Sequence, residues 1–86
     1  LGIPNAAQRL YAFIQQLAKK GVGNLITIEN CPNQQELASM VNVRRETVSR
    51  ALKILFEQNI IEKDGKRLII RNAERLNELA NTATKI

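Results

Sequence analysis

The sequence predicts a mainly α domain with a small β-hairpin, and three observations carry that prediction. Several segments space their apolar residues at i, i+3, i+4 and i+7, the period of a helix buried along one face. Asparagines suited to cap such helices stand at their starts, at Asn5, Asn33 and Asn72. Two short apolar runs, residues 60–62 and 67–71, flank Asp64-Gly65, a dipeptide that favours tight hairpin turns.

The elements follow in order. Ala7, Leu10, Tyr11, Ile14, Leu17 and Ala18 make one face of a first helix over residues 6–19, which Asn5 can cap. Lys19-Lys20-Gly21 is expected to close it, with cations near its negative pole and a glycine beyond. Residues 25–29, Leu-Ile-Thr-Ile-Glu, read as a strand. Pro32-Asn33-Gln34-Gln35-Glu36 starts a short helix, because Asn33 can accept a free backbone N–H and Glu36 can reach back three residues. That helix runs through Leu37, Ala38, Met40 and Val41, with Met40 expected in the core. Asn42 tolerates the left-handed conformation that a tight turn needs. A longer helix covers residues 44–59, with Val48, Ala51, Leu52 and Leu55 as its inner stripe and Phe56 as a further candidate. After the hairpin, Asn72 caps a last helix whose Ala73, Leu76, Leu79 and Ala80 face inward. Two helices joined by a tight turn and followed by a twisted hairpin make a winged helix-turn-helix: a three-helix core plus a wing over residues 60–71.

Composition bounds what such a domain can do. At 86 residues the chain is one small domain, 44% hydrophobic and only 3% aromatic, so its core must be aliphatic. A chain this small buries about 60% of its unfolded surface and is expected to lean on a partner or a longer parent. Residues 1–4 read as the end of a linker from a missing N-terminal part, residues 5–80 as the domain, and residues 81–86 as a flexible tail. Leu1 is not Met and no secretory signal follows, so the chain reads as a fragment of something longer. No apolar run approaches the roughly 20 residues that span a bilayer, so no membrane partner is expected. One cysteine gives no disulfide framework, no paired-cysteine zinc site and no iron–sulfur cluster, and fits a reducing cytoplasm. Cys31 is expected to be a small half-buried residue. With no His, the commonest general base and the commonest neutral metal ligand are both missing. There is no Gly-rich phosphate loop either, so neither an enzyme nor a cofactor or metal site is expected here. Three aromatics are too few for a base-stacking platform, which weighs against single-stranded nucleic acid or RNA. Phe13 falls off the inner face of the first helix and is expected to pack, partly exposed, on the missing part of the parent chain.

The charge is the most informative property. Thirteen Lys+Arg against eight Asp+Glu give +5. At about 100° per residue, Arg45, Glu46, Ser49, Arg50 and Lys53 share the face of the long helix opposite its apolar stripe, and Arg44 adds a cation at its start. Such a face suits a DNA major groove: arginine forks match the two acceptors of guanine, and a carboxylate accepts from the cytosine amino group. The competing reading is an ordinary solvated helix face. In the hairpin, Lys63, Lys66, Arg67 and Arg71 oppose only Glu62 and Asp64. Those cations suit phosphates beside the groove, or equally the protection of an exposed sheet edge.

Glu36-Leu37-Ala38, then Val41-Asn42, then Arg45-Glu46-Thr47-Val48-Ser49-Arg50-Ala51-Leu52-Lys53-Ile54-Leu55 resembles the helix-turn-helix of the Crp–Fnr family of bacterial transcription regulators. The similarity covers residues 5–80, and Arg-Glu-Thr-Val-Ser-Arg is its most specific part. The resemblance implies sequence-specific binding of double-stranded DNA, with Arg45, Glu46 and Arg50 on base edges and Ser49 between them. It places Gln34, Gln35, Arg44 and Thr47 near phosphates, beside Lys53 on the helix face and Lys63, Lys66 and Arg67 in the wing. Arg45 is similar to the cyclic-AMP receptor branch, which reads TGTGA-like half-sites. Family members dimerise through a long helix, bind palindromic operators, contact RNA polymerase and sense a small-molecule effector in a preceding β-roll domain. The dimer and the effector site would then belong to the missing parent segment. Asn42 stands where the family commonly has Gly, and Arg44 where many members have a capping Ser. The second change is expected to lose a cap worth roughly 1 kcal/mol while adding a phosphate-seeking charge. The rival reading is a winged-helix module that binds protein partners.

Overall fold

The computed structural model describes residues 5–81, apart from the side chain of Val22; the linker end at 1–4 and tail residues 82–86 lie outside the described residues. Helix α1 spans Ala6–Leu17, strand β1 Lys19–Lys20 and strand β2 Ile26–Ile28. Helices α2 (Gln34–Val41) and α3 (Arg45–Glu57) follow, then strands β3 (Ile61–Asp64) and β4 (Arg67–Ile70) and helix α4 (Ala73–Asn81). The strands form one antiparallel sheet in the order β1-β2-β4-β3. The winged helix-turn-helix expected from the sequence is the fold observed.

Capping decides where the helices start. Asn5 accepts the Gln8 N–H at 2.9 Å, and the Gln8 side chain returns a bond to the Asn5 N–H at 3.1 Å. Asn33 and Glu36 form the same reciprocal pair at 2.8 and 2.9 Å. Each box satisfies two amide groups that a helix start otherwise leaves unpaired. Asn33→Ala should therefore cost about 1 kcal/mol of stability, read as a lower urea midpoint at unchanged slope. An unchanged midpoint would show that the cap carries none of the stability. Arg44, by contrast, makes no side-chain cap bond at the start of α3, as expected from the missing serine.

Both helices of the motif end the same way. Asn42 (φ 60°) and Asn59 (φ 58°) are left-handed. The Val43 N–H donates to the Ala38 carbonyl and the Ile60 N–H to the Leu55 carbonyl, each at 2.9 Å. These are the six-to-one bonds of Schellman closures, and they turn the chain sharply from α2 into α3 and from α3 into the wing.

The core is aliphatic, as the composition required. Leu10, Ile14, Leu37, Val48, Leu55, Ile60 and Leu76 are fully buried, and Tyr11 joins them.

Several expectations are corrected. The first helix ends at Leu17, and Lys19 and Lys20 pair with Thr27 and Ile26 instead of closing it. Pairing to β2 satisfies their backbone groups, which a frayed helix end would leave to water. The hairpin loop centres on Gly65-Lys66, with Asp64 paired to Arg67. Gly65 has φ 63°, at the loop position where a two-residue turn of type II′ requires glycine. Met40 is 58% exposed because α2 turns Leu37, Ala38 and Val41 inward and leaves Met40 off to one side. Phe56 sits at the rim of the α3 stripe and is 39% exposed. Phe13, by contrast, is partly exposed as expected, and its buried part packs against the core cluster. Ala73 is exposed rather than inward-facing.

Candidate nucleic-acid interface

Arg45, Glu46, Ser49, Arg50 and Lys53 are all exposed on α3, as helical spacing required, and Arg44 is exposed at its N-cap. Thr47 is half-buried on the same helix. Its amide donates to the Arg44 carbonyl at 3.0 Å and completes the first turn. Among the described residues, the ion pairs all lie elsewhere: in the hairpin, between the hairpin and Glu29, and within α4. Among the described residues, the cations of α3 are thus held by no carboxylate, and Glu46 by no cation.

The fold brings part of this face to two other elements. An open cleft of about 610 Å³ runs between α3, the start of α2 and the wing. Arg45, Gln34, Gln35, Lys63, Lys66 and Arg67 line it, with Leu52 and Phe56 further along α3. Four cations there face one carboxylate, Glu36, and that carboxylate is occupied with the Asn33 amide. The capping box takes the Glu36 N–H. The earlier amides of α2, at Gln34 and Gln35, have no partner within the helix, and they add positive potential at the cleft wall. Glu46, Ser49, Arg50 and Lys53 lie outside the cleft, on the open face of α3.

The wing is anchored rather than free. The Cys31 N–H donates to the Lys66 carbonyl at 2.8 Å, tying the wing tip to the loop before α2. The cations divide in two. Arg67 binds Asp64 at 2.6 Å and lies 3.9 Å from Glu29, and Arg71 binds Glu62 at 3.4 Å. The Asp64 bond and charge hold the Arg67 guanidinium more firmly protonated. Lys63 and Lys66 have no ion pair among the described residues. Arg67 and Arg71 thus serve the hairpin, while the two lysines stand outside its ion pairs.

Sequence reading missed three neighbours of this surface. Phe56 and Cys31 line the cleft; Phe56 sits at the rim of an apolar stripe, which was the available signal. Cys31 is half-buried as expected, and burial raises its thiol pKa while Lys63 opposes that rise. Arg9 of α1 reaches the carbonyl of Asn42 at 3.3 Å, bracing the turn of the motif, and no local pattern announces a bond across 33 residues. Among the described residues there is no cluster of His, Cys, Asp and Glu that could hold a metal ion, and no helix long and apolar enough to cross a membrane.

Comparison with known proteins follows the same lines. The family model of the Crp-like helix-turn-helix domain matches residues 8–79. The chain is 34% identical over 80 residues to a probable transcriptional regulator, flp, of Lacticaseibacillus casei, covering 93% of this chain and 36% of that protein. It is 31% identical over 80 residues to the cyclic AMP receptor protein of Thermus thermophilus, covering 93% of this chain and 35% of that one. Among solved structures, the CO-dependent transcription factor CooA from Carboxydothermus hydrogenoformans aligns with a TM-score of 0.76 at 27% identity, over 88% of this chain and 37% of that chain. The chain spans about a third of the length of the curated relatives it matches.

Proposed function

The chain belongs to the family of Crp-like helix-turn-helix domains, and from that premise we propose that it is the DNA-reading domain of a bacterial transcription regulator. The observation that carries this reading is the open face of α3. Arg45, Glu46 and Arg50 are exposed there with Ser49 between them, and no ion pair engages the three charges among the described residues, beside a cleft rimmed by Arg45, Lys63 and Lys66. Arginine and glutamate side chains left free on one helix are donors and acceptors matched to guanine and cytosine edges.

In this reading α3 enters the major groove. Arg45, Glu46 and Arg50 meet base edges, with Ser49 between them. Gln34, Gln35, Arg44, Thr47 and Lys53 lie toward the phosphates, and Lys63 and Lys66 grip the backbone from the wing. Arg67 joins them only by sharing itself with Asp64. Phosphate contacts of this kind set position and orientation, and the base contacts set sequence. Two copies, joined through a parent segment, would read half-sites of a palindrome about 34 Å apart. An effector bound elsewhere in the parent would act by shifting the population in which both reading helices hold that spacing. RNA polymerase is the further partner of such a regulator. One relative is named a probable transcriptional regulator, and in this reading the chain acts by binding rather than by catalysis.

The test is a titration on a palindromic duplex of TGTGA type and on a scrambled duplex, at two salt concentrations. The expected result is preference for the palindrome, with affinity for both falling as salt rises. Equal binding to both would leave only backbone attraction. Binding to neither at low salt would overturn the reading in favour of a protein-binding module.

A further inference from the structure

We infer that Tyr11, on α1, is a positioning residue for the reading helix: its hydroxyl sets the rotation of α3 about its own axis and so the aim of Arg45, Glu46 and Arg50. The inference rests on the DNA-reading function proposed above.

Three observations carry it. First, α3 starts without a side-chain cap, because Arg44 makes no cap bond. Its inner stripe of Val48, Ala51, Leu52 and Leu55 is wholly apolar, and apolar packing is non-directional. That stripe sets which face of α3 turns inward, and a directional bond narrows the angle further. Second, the Tyr11 hydroxyl donates to the carbonyl of Ala51 at 3.2 Å, in a buried contact 40 residues apart in sequence. Tyr11 is 4% exposed and Ala51 2%, which keeps the bond away from bulk solvent. Burial also raises the phenol pKa, which keeps the donor protonated. Third, α1 grips the motif at a second place, where Arg9 donates to the Asn42 carbonyl at 3.3 Å. The Arg9 bond holds the turn where α3 begins and the Ile60–Leu55 closure holds its end, so the Tyr11 bond, midway and off the axis, is the one placed to set rotation about that axis.

The lever is short. Ala51 follows Arg50 directly and stands two residues after Ser49. A 20° turn of a helix carries an atom about 6 Å from its axis through about 2 Å. That exceeds the tolerance of a hydrogen bond to a base edge, whereas a charge near a phosphate barely registers it. The positioning bond should therefore govern discrimination between sequences and leave general attraction to DNA untouched.

Tyr11→Phe removes the hydroxyl and keeps the ring that fills the core. The experiment titrates the 86-residue chain and this variant on a duplex carrying one TGTGA half-site and on a scrambled duplex, each at two salt concentrations. Unfolding midpoints are measured in parallel. The expected result is a specificity ratio lowered about three- to tenfold, the worth of one net hydrogen bond, with scrambled-duplex affinity and salt slope unchanged. An unchanged ratio in a folded variant overturns the inference. So does an equal loss on both duplexes, which marks a merely structural role. Absence of any preference in the unsubstituted chain would instead overturn the DNA-reading function, and the positioning role with it. A second measurement needs no variant. A slowly exchanging Tyr11 hydroxyl proton close to Ala51 in the NMR spectrum supports the bond, and rapid exchange of that proton with solvent refutes it.

Discussion

Leu55→Ala should remove about 2–5 kcal/mol of stability, the range for truncating a fully buried leucine. Leu55 has no exposed surface, and neither does Ile60. The two meet where α3 closes, since the Ile60 N–H donates to the Leu55 carbonyl at 2.9 Å. The junction reaches further, because the Ile60 carbonyl accepts from Arg71 at 2.7 Å and from Asn72 at 3.1 Å. The end of α3, the base of the wing and the start of α4 are thus held at one place. A cavity under Leu55 loosens all three together, so the loss belongs near the upper part of the range. Small domains have only about 5–15 kcal/mol in all, and a substantial unfolded population should appear at 37 °C. Urea titration followed by circular dichroism reads it directly. A loss below about 1 kcal/mol would mean that the site collapses around the alanine and that the junction is no keystone.

Arg45→Ala should weaken binding to the preferred duplex by about 1–3 kcal/mol, with the loss confined to one base pair of the half-site. Arg45 is exposed, has no ion pair among the described residues and stands at the first turn of α3, where it also lines the cleft toward Lys63 and Lys66. Arg45→Lys separates charge from geometry. Lysine keeps the cation and lacks the planar fork that matches two acceptors at once. It should keep the salt dependence of the native chain while losing most of the discrimination at that base pair. A uniform loss across all sequences, with a reduced salt slope, would reassign Arg45 to the phosphates. Full retention of affinity and specificity in both variants would remove it from the interface.

What the sequence made legible was local. The caps at Asn5, Asn33 and Asn72 act within three residues, and each forms as expected. The left-handed Asn42 follows from the same short-range chemistry. The open face of α3 was legible because a helix sorts its side chains by a fixed angle, so Arg45, Ser49 and Arg50 could be placed opposite Val48 and Leu52 without knowing the rest of the fold. The misses come from tertiary choice. Lys19 and Lys20 left the helix because β2 offered their backbones a partner. The hairpin slid by one residue because Arg67 pairs with Asp64 across the loop. Met40 lay outside the core because two turns of helix bury only a narrow arc. The bonds from Tyr11 to Ala51 and from Arg9 to Asn42 link residues 40 and 33 positions apart, and a single sequence carries no mark of them.

The bond between the Cys31 amide and the Lys66 carbonyl has a thermodynamic meaning beyond holding the hairpin in place. A wing that swung freely would have to be immobilised whenever it met a partner, and each ordered backbone residue carries an entropic penalty of about 1–2 kcal/mol. Here that penalty falls on folding, before any encounter. The tip is organised before any encounter, so the proposed contact through Lys63 and Lys66 would retain more of its attraction.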